Sequence, residues 1–167
     1  MSFDVSSISP NDAETALRSY PRRFRAALLP IEDDPAVEEL AQQVGPDGQS
    51  ALEHAADAVR SWTVLREAFR QIQVSDTPVV HAAVADASLR QWEAPFRDTV
   101  GGLLEQLDDE AVAFADAVAE VSGDQWERRA SVAGGGTVTA LDVAREAVVV
   151  GHDQLGAVER TLAALRR

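Results

Sequence analysis

Between Ser50 and Gln73 the chain sets Leu52, Ala55, Val59, Trp62, Arg66 and Phe69 at alternating steps of three and four. That spacing is one face of a helix turning about 100° per residue. Ser50 followed by Glu53 forms a capping box, so the start of this helix is written into the sequence. A stripe of this kind needs partner stripes to cover it, and three other stretches supply them. Ser9-Pro10-Asn11-Asp12 predicts a helix start, with Ser9 as N-cap, Pro10 at the first position and Asp12 near the positive end of the dipole. Leu17, Tyr20, Phe24 and Leu28 follow as a stripe, and Pro21 within it removes a backbone donor and predicts a kink. From about Asp98 to Val121, the residues Val100, Leu104, Leu107, Ala111, Phe114, Val118 and Val121 form a bundle-type seam. Gly101 and Gly102 weaken its first turn and imply close backbone packing there. Gly123 reads as its C-terminal cap. A last helix opens on a Thr139/Asp142 capping box and carries Leu141, Ala144, Val148, Gly151, Leu155, Val158, Leu162 and Leu165.

The stretches between are weaker. Pro30 to Pro35 is a break, Ala36 to Val44 reads as a short outer helix, and Gly45-Pro46-Asp47-Gly48 is a turn. After Gln73 the pattern fails, with at most a short helix around Ala85 to Trp92. Asp124 to Thr137 reads as a loop with glycines at 134 to 136; no lysine follows them, which disfavours a phosphate loop. Four long amphipathic helices without a convincing strand or repeat predict an all-α four-helix bundle in one domain, residues 1–167, with Met1 to Ile8 as a tail. The connections at roughly 30–49 and 74–95 are too long for hairpins, so a minimal up-down topology is not expected.

Composition narrows the partners. The 167 residues carry 28 acidic and 15 basic side chains, a formal charge of −13, and every basic residue is arginine. A surface this negative repels phosphate backbones and anionic lipid, so neither nucleic acid nor membrane is an expected partner. The absence of cysteine removes disulfides, thiolate ligands and cysteine nucleophiles, and fits a reducing compartment. The first ten residues lack a signal-peptide pattern, and a cytoplasmic location is the expectation. The Arg22, Arg23 and Arg25 cluster and the Asp108-Asp109-Glu110 run read as solvated faces. Trp62, Trp92 and Trp126 read as packing anchors. No Gly-x-Ser-x-Gly, HExxH or dinucleotide fingerprint occurs.

Four stretches, LRSYPRRFRAALL, PDGQSALEHAADAV, GDQWERRA and TVTALDVAREAVVVGHDQL, resemble in order and spacing the DinB-like superfamily. That superfamily includes domains similar to mycothiol-dependent maleylpyruvate isomerases. The resemblance implies a bundle with unusual crossover topology and a cleft between the second and last long helices. It also implies a divalent metal, zinc or nickel, held there by about three side chains, mostly histidine, with Trp126 and Arg128 closing one end. Transferase or isomerase chemistry on a low-molecular-weight thiol would follow.

Carried over residue by residue, the ligand on the second long helix falls at His54 or Asp57, depending on the alignment anchor. The last helix should supply two ligands four apart. His152 is one, but its neighbours at that spacing are Val148 and Gly156, which bind no metal. Asp153 and Glu146 stand nearby but face other directions from His152. The candidate set is therefore His54, Asp57 and His152. Helical phase places His152 beside the seam, at least partly buried, and His54 at the margin of the apolar arc with Asp57 on the polar side; His81 reads as a surface residue. Two functions follow. One is a metal-dependent thiol transferase or isomerase with a degenerate site. The other is a metal-free bundle that binds a small ligand or pairs as a homodimer.

Overall fold

The computed structural model describes residues 4–31, 34–90 and 98–167. Five α-helices lie among them: α1 (Pro10–Leu28), α2 (Pro35–Gln42), α3 (Ala51–Val74), α4 (Val100–Ala119) and α5 (Ala140–Leu165). The capping boxes at Ser9/Asp12, Ser50/Glu53 and Thr139/Asp142 all form, each satisfying otherwise orphaned N–H groups. α1 continues as one helix through Pro21. Gly101 is exposed with nothing near its missing side chain, and the atoms nearest to Gly102's belong to Asp98 and Thr99 of its own turn rather than to a neighbouring helix.

Around the bundle the long helices follow the order α1, α4, α3, α5, so that α1 lies diagonally across from α3 and α4 diagonally across from α5. This is not an up-down arrangement. The connection carrying α2 crosses one diagonal, as its length suggests. The 75–99 connection joins the neighbours α3 and α4, and its described part, residues 75–90, packs against α3. The second crossover is the segment between α4 and α5.

That segment corrects the expectation of a bare loop and no strands. After a short 3₁₀ turn it forms a hairpin of β2 (Arg129–Val132) and β3 (Thr137–Thr139). β1 (Val79–Val80), from the 75–99 connection, adds to β2 in parallel, giving the order β1-β2-β3. Gly134, Gly135 and Gly136 turn the hairpin with φ of 92°, 126° and 91°, values other residues resist. The triple glycine is thus turn chemistry. Gly123, with φ 55°, opens the 3₁₀ turn, and Glu120 is the cap of α4. Nor are residues 4–8 a free tail: Ile8 is buried, and Arg145 of α5 donates to the Ile8 and Ser6 carbonyls at 2.9 and 2.8 Å.

Aromatic residues tie the core together. Trp62 is fully buried, donates Nε1–H to the Ala147 carbonyl at 2.9 Å, and meets Tyr20 and Phe24 at centroid distances of 5.8 and 6.2 Å. Phe69 links Phe114 to Trp126, each at 5.7 Å. Arg66, placed by its spacing in the α3 stripe, instead grips Glu110 of α4 with two bonds of 2.9 and 3.1 Å, so Glu110 is not simply solvated. Arg22, Arg23 and Arg25 are exposed, as read. Trp92 and the end of the short helix expected there lie outside the described residues; Ala87–Arg90 is a 3₁₀ turn. No helix among the described residues is long and apolar enough to cross a membrane.

Candidate functional site

A cleft of about 430 Å³ opens between α3 and α5, within the usual range for small-molecule sites. One helical turn separates Asp57 from Ser61 on its α3 wall. Glu146, Val149, Val150, Asp153 and Gln154, spaced three, one, three and one, form the α5 wall. Gln49 lies at one end, and Ala87, Ser88 and Arg90 of the 75–99 connection cover the top.

Arg90 dominates the chemistry. Its side chain is 3 % exposed, yet it carries a full charge. Nε–H donates to the Ala83 carbonyl at 2.6 Å and Nη2–H to the Val84 carbonyl at 2.9 Å, while Nη1 pairs with Glu146 Oε1 at 2.9 Å. A buried charge is tolerated only when paired and hydrogen-bonded, and Arg90 is both. The chain thus brings its own cation to a cleft lined by three carboxylates. Asp57 is also engaged, by Arg60 one turn on and by the Gln49 amide at 3.1 Å.

The histidines exchange the roles expected of them. His54 is buried at 6 % exposure and its Nε2 meets Asp47 Oδ2 at 2.9 Å. The 43–50 turn causes this: a bridge between Val44 and Ser50 folds it back over the first turn of α3, and Asp47 reaches the ring. His152, expected near the seam, has a side chain 49 % exposed, with Nδ1 against Asp153 Oδ1 at 3.0 Å. Neither histidine lines the cleft. Of the candidate set only Asp57 does. His81 is exposed, and its Nδ1 accepts from the Ala83 amide. Sequence reasoning set aside Glu146 and Asp153 because they face away from His152; they are the two α5 carboxylates that face the cleft. The signal was available in their own spacing, since 146, 150 and 153 share one helical face. Trp126 and Arg128 do not close the cleft. Trp126 packs on Phe69, and Arg128 donates to the Ile72 and Ser75 carbonyls, both at 2.8 Å, at the far end of α3.

A divalent metal does not fit this donor set. On the cleft face of α5 the pairs four apart are Glu146 with Val150, Val149 with Asp153, and Val150 with Gln154. Each contains a valine, so the helix cannot present two ligands at the spacing the resemblance implies. Among the described residues no three His, Asp or Glu side chains gather closely enough to hold an ion.

The helix order and the cleft define the class: a four-helix bundle with crossover connections. The chain is similar over 98 % of its length, and over 91 % of the other chain, to YfiT from Bacillus subtilis, described as a probable metal-dependent hydrolase with an unusual four-helix bundle topology; the TM-score is 0.72 and the identity 15 %. At that identity the likeness carries the fold alone. No family model and no curated protein matches the chain.

Proposed function

We propose that this protein binds a small polar molecule in the α3–α5 cleft and does so without a resident divalent metal. One observation carries the reading. The guanidinium of Arg90 is buried in the cleft and paired with Glu146, so positive charge there comes from the chain itself. The commitments of His54 to Asp47 and of Asp57 to Arg60 and Gln49 support it. A guanidinium neutralises and orients carboxylates, but it does not lower the pKa of a bound water or thiol as a Lewis acid does.

The rival reading is a metal-dependent hydrolase, or a transferase acting on a mycothiol-type thiol through His54, Asp57 and His152. The shared fold with a probable metal-dependent hydrolase favours it. Elemental analysis of untagged protein purified without chelator separates the two. The expected result is zinc and nickel far below one per chain, with no saturable uptake on addition. One tightly held ion per chain, lost on His54→Ala or His152→Ala, overturns the proposal in favour of the rival. A fragment screen followed by amide shifts then locates binding; shifts confined to Asp57–Ser61 and Glu146–Gln154 are expected.

A further inference from the structure

The hydrogen-bond inventory of the cleft points to a chemical class of ligand. Its charged donor and two of its neutral ones are engaged: Arg90 on two carbonyls and Glu146, the Gln49 amide on Asp57, and the Ser88 hydroxyl on Asp86. Acceptors are in surplus. A carboxylate offers about four lone-pair sites; Arg90 pairs with one oxygen of Glu146, and the His152 ring nitrogen lies against one oxygen of Asp153. Gln154 Oε1 is buried without a hydrogen-bond partner, an arrangement that native proteins rarely leave unexplained. Ser61 is 6 % exposed, lines the cleft, and its hydroxyl makes no hydrogen bond among the described residues. Buried polar groups of this kind cost free energy unless a ligand or water pairs with them.

Building on the proposed cleft function, we infer that the ligand is a small organic cation, a primary ammonium or amidinium, whose N–H groups meet Asp153, Glu146, Ser61 and Gln154. Three N–H donors on one charged nitrogen match the carboxylate, amide and hydroxyl oxygens that face the cleft. The net charge of −13 adds attraction at long range. Asp153, with a side chain 67 % exposed, stands at the mouth, while Ser61 and Gln154 lie deeper, so the charge enters by a solvated carboxylate and ends against neutral acceptors.

The test is a heteronuclear NMR titration at constant ionic strength with n-butylammonium and 1,4-diaminobutane, using n-butanol and butyrate as shape-matched controls. The ammonium probes are expected to shift amides of Asp57–Ser61 and Glu146–Gln154 saturably, at least tenfold more tightly than the controls. Asp153→Asn and Ser61→Ala should each weaken binding several-fold, and Glu159→Gln, an exposed carboxylate elsewhere on α5, should not. The spectra themselves report whether each variant is folded. Equal binding of butanol and butylammonium in the cleft overturns the cation assignment and leaves the cleft function standing. Unsaturable shifts scattered over the acidic surface overturn it as well. If neither these probes nor any fragment binds the cleft, both readings fall together.

Discussion

The ring of Tyr20 lies against the backbone of Gly151 so closely that a methyl group on that glycine would overlap ring carbons Cδ2, Cε2 and Cζ. The hydroxyl reaches past it to donate to the Val148 carbonyl at 2.8 Å. A single hydrogen atom at position 151 therefore sets how near α1 comes to α5. In an unobstructed helix, Gly→Ala would be worth roughly 1 kcal/mol of added stability. Here the ring cannot retreat, because Trp62 and Phe24 stand against it at 5.8 and 6.5 Å. Gly151→Ala should instead destabilise by about 1–3 kcal/mol, the usual cost of overpacking. Urea denaturation checks this as a lower midpoint at unchanged slope. In a Tyr20→Leu background the same substitution should cost little. An equal cost in both backgrounds would locate the strain somewhere other than the Tyr20 ring.

Tyr20 also gives the protein an alkaline limit. Burial pushes its hydroxyl up to about 12; the nearby Arg23 works against the shift and Asp153 adds to it. An unfolded tyrosine titrates near 10. The folded state thus holds the proton where the unfolded chain releases it, and the associated stability is complete below pH 10 and lost as pH climbs from 10 to 12. Two units correspond to roughly 3 kcal/mol. Tyr20 is the only tyrosine, so phenolate absorbance near 295 nm reports it alone. The expected titration is a late one that coincides with unfolding. A reversible midpoint near 10 with the helical circular dichroism intact would refute the burial argument.

The helices were legible because their information is local. Caps at Ser9, Ser50 and Thr139 and the three-four stripes lie within a few residues of what they specify, and those helices form close to where they were read. What depends on distant chain was not legible. His54 is buried because Asp47 and its turn fold back over it, and His152 is half exposed on a side of α5 that none of the described helices covers. β1 contains two residues and exists only because β2 lies alongside it. Arg90 sits in a stretch without periodicity, so nothing local announced that its charge would be buried against Glu146. The cleft between α3 and α5 was anticipated by resemblance, but of the residues carried over only Asp57 lines it.

Arg128 ends α3 from outside the helix. Its Nε–H and Nη2–H groups donate to the Ile72 and Ser75 carbonyls, each at 2.8 Å, where the last turn has no intrahelical donors to spare. A cation at this end also complements the helix dipole. Arg128→Ala should cost about 1–2 kcal/mol, within the range for charge-assisted hydrogen bonds that water partly replaces. Hydrogen exchange should quicken at the amides of residues 70–75 and in β2, while the first turns of α3 keep their protection. Unchanged exchange at that end would mean that Trp126 and the sheet hold it without the arginine.

Arg90 is expected to act as a local latch. Its three interactions join the covering segment to itself through Ala83 and Val84 and to α5 through Glu146. The long helices pack on one another without it, so its loss should loosen the cover more than the bundle. Arg90→Met keeps much of the stem's bulk but strands two carbonyls, and a full buried-pair penalty of 3–5 kcal/mol does not apply, because Glu146 is 35 % exposed and can be rehydrated. A global loss of about 1–2 kcal/mol is expected, with a larger local effect: exchange at Val84–Arg90 should rise at least tenfold and protease should cut first between residues 81 and 90. Glu146→Gln should show the milder form, since both carbonyl bonds survive. If Arg90→Met leaves exchange in this segment as it was, the guanidinium is not what holds the cover over the cleft.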